Sequence, residues 1–220
     1  MKTFVHMSAL GADPQSDSAY ARTKAAGETA VFEFFSDANV VRPSVVFGPE
    51  DDFFNRFAAL ARISPVLPLI GGGETRFQPV FVGDVAAVFA KALAGETRPG
   101  AIYELGGPEV KTFRELMVFV CATTHRKCRL VPIPFGAAHY MALLTEAASK
   151  ISFGLFPHML LTTRDQVRLL RRDNVVSTLA ITEGRTLAGL GLDAEAIESI
   201  VPTYLYRFRK TGQFDHQRPG

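Results

Sequence analysis

Asn39-Val40-Val41-Arg42-Pro43-Ser44-Val45-Val46-Phe47, closed by Gly48-Pro49, is the stretch from which the fold can be read. A β-branched run bounded by turn residues predicts a buried strand. Pro43 is confined to an end or a bulge, because it has no N–H to give a ladder. Strands of this kind belong to parallel sheets whose faces are covered by helices. Upstream, Tyr20 to about Phe35 has helical spacing, with Ser18 as its N-cap. Before it come a polar connection, Gly11 to Ser18, and an apolar strand, Thr3-Phe4-Val5-His6-Met7, ending at Ser8.

Downstream the alternation continues. Phe53, Phe54, Phe57, Leu60 and Ala61 form an apolar stripe over residues 51–63, predicting a helix capped by Asp51 or Asp52 and ended by Pro65 and Pro68. Gly71-Gly72-Gly73 is a turn, and Phe77 to Val82 a short strand. Asp84 is expected to cap a helix from Val85 to Leu93, with Gly95 just past its end. Ala101 to Leu105 is a strand, and Thr112-Phe113-Arg114-Glu115 is a capping box opening a helix to about Thr123. Leu130-Val131-Pro132-Ile133-Pro134 reads as an extended, proline-rich link. A helix is expected over residues 136–150, and a second capping box, Thr163 to Gln166, opens a short helix through Arg171. The end, Thr203 to Gly220, turns basic, aromatic and then polar, and is expected to fray. Strand–helix alternation of this kind predicts α/β architecture: a partial Rossmann-type parallel sheet over residues 1–110 and a mostly helical lobe over residues 111–220.

Composition narrows the function classes. The chain has 220 residues, 47% hydrophobic and 21% charged, with a formal charge of +2. That is ordinary for a globular protein and excludes a strongly basic nucleic-acid binder or an acidic disordered tail. Cys121 and Cys128 form no CxxC pair and read as free core thiols. The five histidines are scattered without HxxxH or HExxH spacing, so no metal site is expected. No targeting segment is visible. The longest late charge-free stretch, between Lys150 and Arg164, holds 13 residues including Pro157, short of the ~20 a membrane-crossing helix needs.

Two groups can carry chemistry. Tyr20 and Lys24 are four apart on a predicted helix and share a face. A nearby ammonium favours the phenolate and can make tyrosine a proton-transfer group. Chance alone gives roughly 0.16 such pairs in a chain of this composition, so context must decide against a plain solvated helix face. Ser8 supplies it, ending the preceding strand at the carboxyl edge where α/β sheets bind ligands, as does the Arg42–Pro49 stretch at the next strand's end. No GxGxxG or GxxGxxG follows a strand, and Gly71-Gly72-Gly73 leads into a strand instead of a helix.

Val5-His6-Met7-Ser8, Tyr20-Ala21-Arg22-Thr23-Lys24 with Gly27-Glu28, Arg42-Pro43 through Gly48-Pro49, Gln78-Pro79-Val80-Phe81-Val82-Gly83-Asp84-Val85 and Tyr103-Glu104-Leu105-Gly106-Gly107 together resemble the extended or atypical short-chain dehydrogenase/reductase superfamily, the NAD-dependent epimerases and dehydratases. His6-x-Ser8, Phe47 to Asp51, Gln78 to Val82 and Asp165-Gln166-Val167 are similar to the branch holding the Rossmann-type accessory subunit of respiratory complex I and its bacterial homologues. The resemblance implies Tyr20 as acid/base, Lys24 as the group that lowers its pKa and holds the nicotinamide ribose, and Ser8 as orienter of a substrate carbonyl. It implies Pro43, Ser44, Val45 and Val46 along the nicotinamide of NAD or NADP. Phe77 stands where sugar-acting members often carry arginine, with Arg76 one place earlier, which departs from sugar-nucleotide binding.

The strands and glycine-rich turn that hold adenosine and pyrophosphate in that superfamily have no counterpart here. The expectation is a truncated product, a misassigned start or a fragment, with weak or no dinucleotide binding by this chain. It should also leave sheet edges and the strands of Val5, Val45, Val46 and Phe47 under-covered. Three functions remain open: an assembly or stabilising protein linked to NADH:quinone chemistry with weak or absent catalysis, an active NAD(P)-dependent oxidoreductase or epimerase, and an inert remnant. The apolar stretch Phe135 to Leu161, with Arg164, Arg168, Arg171 and Arg172 beside it, suits either a packed lobe or contact with a membrane or a respiratory-chain complex. The expected location is cytoplasmic or peripheral on the inner membrane.

Overall fold

The computed structural model describes residues 3–151 and 162–210. Residues 152–161 of the apolar stretch and residues 211–220 of the expected frayed end lie outside the described residues. The chain forms two compact units, and neither is one continuous stretch. The first comprises residues 1–48, 76–110 and 172–197, and the second residues 49–75, 111–171 and 198–220.

The first unit is built on a three-stranded parallel sheet in the order Val5–Met7, Asn39–Pro43, Ile102–Leu105. Val5 pairs with Asn39, Val40 with Ile102 and Pro43 with Leu105. The central strand is the β-branched run of the sequence, and Val40 and Val41 are wholly buried. Pro43 ends it, and the next donor to the neighbouring strand is the Ser44 N–H, which bonds the Leu105 carbonyl at 2.8 Å. The expected single strand through Phe47 is two: the chain turns at Ser44, and Val46–Phe47 pairs parallel with Val80–Phe81. Val5 therefore lies on an outer strand of the described sheet and is half-buried, whereas Phe47 is fully buried.

Helix Ala19–Phe34 begins at the expected cap, Ser18, whose hydroxyl accepts from the Ala21 N–H. Helix Val82–Ala94 starts three residues earlier than expected, so Asp84 sits in its first turn and is not its cap. The Asp84 carboxylate instead accepts the Glu195 N–H at 2.9 Å. This helix packs Val85 and Val88 onto Val41, Val80, Tyr103 and Leu105, and Leu187 from the returning segment closes the same cluster. Gly95 ends it in the left-handed region, as its position predicts.

The second unit contains a parallel pair that its sequence conceals. Val66–Ile70 pairs in full register with Arg129–Ile133, so the proline-rich stretch expected as a link is a strand. Pro68 and Pro132 are tolerated because each strand has one described neighbour, and the edge that lacks an N–H faces no partner. Helices Phe54–Ile63 and Phe113–Thr123 bury Phe54, Ala58, Phe113, Leu116, Met117 and Val120 with Leu67 and Leu69. Phe53, Phe57 and Phe113 meet edge to face. Asp51 caps the first helix by accepting the Phe54 N–H, and Thr112 opens the second with the expected capping box. Helix Phe135–Ile151 sets Ala138 and Ala142 against Val167 of helix Arg164–Leu169.

Helix Phe113–Thr123 ends in a Schellman turn: the His125 N–H bonds the Ala122 carbonyl and the Arg126 N–H the Cys121 carbonyl. The position that normally takes glycine holds His125 at φ 53°, the one non-glycine residue at positive φ among the described residues. His125→Gly should therefore raise stability by about 1 kcal/mol, read by denaturant unfolding. A loss of that size would mean that the imidazole contributes more than the backbone strain costs. Cys121 and Cys128 flank this turn as free, half-buried thiols rather than core ones, and burial with Cys128 alongside pushes the Cys121 thiol up to about 12.

Candidate functional site

Three residue positions, 20, 24 and 28, follow one another along a single face of helix Ala19–Phe34. Tyr20 is half-exposed. The Lys24 ammonium lies 5.7 Å from the centre of the Tyr20 ring, over its face, and donates to the Met7 carbonyl at 3.4 Å. The structure thus brings Tyr20 and Lys24 together at the carboxyl end of the first strand. Burial raises the Tyr20 phenol above its ordinary value of 10.0, and Lys24 contributes no resolved lowering. The phenol is therefore a protonated donor at neutral pH.

Ser8 sits just past the same strand and is buried, its N–H donating to the Val41 carbonyl at 2.8 Å. Its hydroxyl donates to Oε1 of Glu28, a buried carboxylate. Glu28 is in turn held by Arg42, which donates from Nε to Oε1 at 2.8 Å and from a terminal nitrogen to Oε2. Arg42 also approaches Glu104 at 4.0 Å. The hydrogen bonds to Glu28, foremost, hold the Arg42 guanidinium above its usual value. Ser8 is thus tied into a serine–glutamate–arginine chain behind the strand ends. Glu28 and Arg42 stand in the sequence only within the quoted motifs, with no role assigned to either, although Glu28 continues the Tyr20–Lys24 spacing.

His6, on the strand, keeps Nε2 buried without a hydrogen-bond partner among the described residues. A side chain at Gly27 would come within 3.3 Å of that nitrogen, so glycine lets the helix approach the strand here. Ser44, expected along a nicotinamide, is buried, and its hydroxyl donates to Asn174, 2.6 Å from the side-chain oxygen. Pro43 is buried in the central strand, and Val45 and Val46 are half-buried. Arg76 is paired with Asp173, 2.7 Å away, and the Arg76 backbone N–H, foremost, together with the guanidinium holds the Asp173 carboxyl below the usual carboxylate range.

A nicotinamide dinucleotide fits part of this set. The Lys24 ammonium has three donors and spends one on Met7, leaving two for ribose hydroxyls. Ser44 has no such freedom. Among the described residues no group of histidine, cysteine and carboxylate side chains could hold a metal ion. The arginines expected to form a basic face are largely engaged: Arg164 with Glu146, Arg168 with Asp165, Arg172 with Asp13, and Arg171 over the Phe135 ring. No helix among the described residues is long and apolar enough to cross a membrane.

Comparison with known proteins places this arrangement. Residues 6–106 match the NAD dependent epimerase/dehydratase family. The chain is 35% identical over 211 residues to mitochondrial NADH dehydrogenase [ubiquinone] 1 alpha subcomplex subunit 9 of Arabidopsis thaliana, covering 95% of this chain and 51% of that protein. It is 33% identical over 179 residues to the same subunit of Rattus norvegicus, covering 81% of this chain and 45% of that one. UDP-glucose 4-epimerase of Thermotoga maritima, solved with UDP-glucose, superposes with a TM-score of 0.61 over 96% of this chain and 64% of its own at 20% identity, which shows a shared fold. The chain spans about half the length of the curated relatives it matches.

Proposed function

We infer, from the match of residues 6–106 to the NAD dependent epimerase/dehydratase family and the likeness to mitochondrial NADH dehydrogenase subunits, that the chain serves as an assembly or stabilising subunit beside a membrane-bound NADH:quinone oxidoreductase, with weak or absent catalysis. One observation carries the weak-catalysis half: the Ser8 hydroxyl, the group expected to orient a substrate carbonyl, is buried and committed to Glu28, itself clamped by Arg42. A serine in that state must break a charge-assisted bond before it can turn to a substrate. The assembly half rests on the named relatives, which are subunits of mitochondrial NADH dehydrogenase. Because those relatives are mitochondrial by name, peripheral attachment to a respiratory membrane is favoured here over a cytoplasmic location. Deleting the gene and resolving the membrane complexes on native gels tests this. Loss of assembled NADH:quinone oxidoreductase is expected, and an unchanged amount and activity of that complex refutes the assignment.

The second reading, an active NAD(P)-dependent oxidoreductase or epimerase, is kept alive by the juxtaposition of Tyr20 and Lys24. When bound, the dinucleotide supplies the hydride chemistry. Lys24 is the side chain with free donors for it, and Tyr20 is the proton donor beside it. Among the described residues no glycine-rich turn leads from a strand into a helix N-terminus, the usual cradle for a diphosphate. Titration calorimetry should accordingly find NADH binding much weaker than micromolar. A micromolar constant, about −8 kcal/mol, would mean that another surface takes the diphosphate.

A further inference from the structure

The second unit carries a cleft of about 390 Å³ lined by Ala61 to Pro65 at the end of helix Phe54–Ile63, by His125, Arg126 and Lys127 of the Schellman turn, and by Lys210. Its lining includes Arg62, Arg126, Lys127 and Lys210 and no carboxylate. Part of this charge has a structural explanation. Two helices end here, each presenting the negative end of its dipole, about −0.5 of an elementary charge, and cations settle at such ends. Arg126 answers part of that need, its guanidinium reaching the Arg62 carbonyl at 3.5 Å, and it also donates at 2.9 Å to the Phe208 carbonyl, which belongs to neither helix. Arg62, Lys127 and Lys210 do not. All three side chains are exposed, and none makes an ion pair among the described residues. Four cations against two helix ends leave the cleft at about +3 before any charge on His125 is counted. This contrasts with Arg164, Arg168 and Arg172, each of which has an acidic partner.

The loop that supplies two of these cations is also held at a cost. His125 occupies a left-handed position where glycine would be easier. A strained turn that presents successive basic side chains to an uncompensated cleft marks it as built for a ligand rather than for folding. We propose that this cleft is a binding site for a phosphate group, carried either by a soluble phosphorylated molecule or by an anionic phospholipid headgroup. Its volume lies within the range of small-ligand sites, ~300–1,000 Å³. Two ammonium groups and a guanidinium on separate segments suit the three oxygens of a phosphate. The site is independent of Tyr20 and Lys24 and of any dinucleotide.

The test uses the full chain with two probes, inorganic pyrophosphate followed by calorimetry at low salt, and co-sedimentation with phosphatidylcholine vesicles with or without phosphatidylglycerol. The double variant R62Q/K127Q removes two of the unpaired cations. K91Q/R98Q removes equal charge in the other unit, from a half-buried lysine paired with Glu96 and from an exposed arginine. Both variants are checked for unchanged helicity and melting. At least a tenfold loss of binding in R62Q/K127Q is expected, with less than about twofold in the control. Loss with pyrophosphate assigns a soluble ligand, and loss confined to anionic vesicles assigns a headgroup. Binding of neither probe, equal binding by wild type and R62Q/K127Q, or an equal loss in both variants would overturn the site. None of these outcomes depends on whether NADH:quinone oxidoreductase assembly is affected.

Discussion

Glu28→Ala should destabilise the protein by about 3–5 kcal/mol, the usual cost of removing one partner from a buried ion pair. Glu28 is 5% exposed and accepts from both the Ser8 hydroxyl and the Arg42 guanidinium. Its loss would leave Arg42 on the central strand facing Glu104 at 4.0 Å as its remaining acidic neighbour, and would strand the Ser8 hydroxyl in a buried position. The cost comes from charge left uncompensated, and not from the pair being worth that much in itself. E28Q also leaves Arg42 without its counter-charge, but it keeps the volume and one acceptor oxygen, and should lose less by the packing and hydrogen bonds it retains. Replacing both partners, as E28L/R42M, should recover much of the loss, since apolar substitutes for a whole buried pair are often near neutral. Denaturant unfolding of the three variants checks this. A loss below about 1 kcal/mol for Glu28→Ala would show that water reaches the carboxylate and that Ser8 is free to turn away from it.

How far the sequence reveals this molecule depends on the range of the forces involved. Helix starts set by local hydrogen bonds were legible: Ser18, Thr112 and Thr163 each cap as expected, because a cap is decided within three residues. The α/β class was legible from alternation, and the central strand from its β-branched run. The break in that run was not. Ser44 turns the chain because its hydroxyl is held by Asn174, 130 residues away, and no local pattern encodes that partner. Val66–Ile70 and Arg129–Ile133 were hidden by their prolines, which argue against a strand unless it is known to lie at an edge. Asp84 showed the opposite error: its capping chemistry was recognised, but its carboxylate is used by Glu195, 111 residues on. At the site, Tyr20 and Lys24 follow from helical periodicity, whereas the commitment of Ser8 to Glu28 requires the sheet to bring strand and helix together. The basic cleft was invisible for the same reason, since its cations come from three separated segments.

Tyr20→Phe is expected to lower turnover by ~100- to 10,000-fold in any form of the protein that turns over a substrate with NAD or NADP, the range typical of a general acid or base. The substitution removes one oxygen from a half-exposed ring, so the fold should change by less than about 1 kcal/mol and the Lys24 ammonium can keep its place over the ring face. The direction of the reaction matters. Burial raises the Tyr20 phenol above 10.0, so at neutral pH it holds its proton and is the correct form to donate to a developing alkoxide in reduction. As a base in oxidation it must first lose that proton, and the phenolate fraction grows only as pH rises toward the elevated pKa. Reduction should therefore stay level through neutral pH and fall in alkaline solution, while oxidation climbs there. The Phe variant should lose both limbs along with the rate. Wild-type and variant enzymes with equal rates and equal pH profiles would leave Tyr20 a structural helix residue, and with it would go the case that this chain's own side chains carry proton transfer.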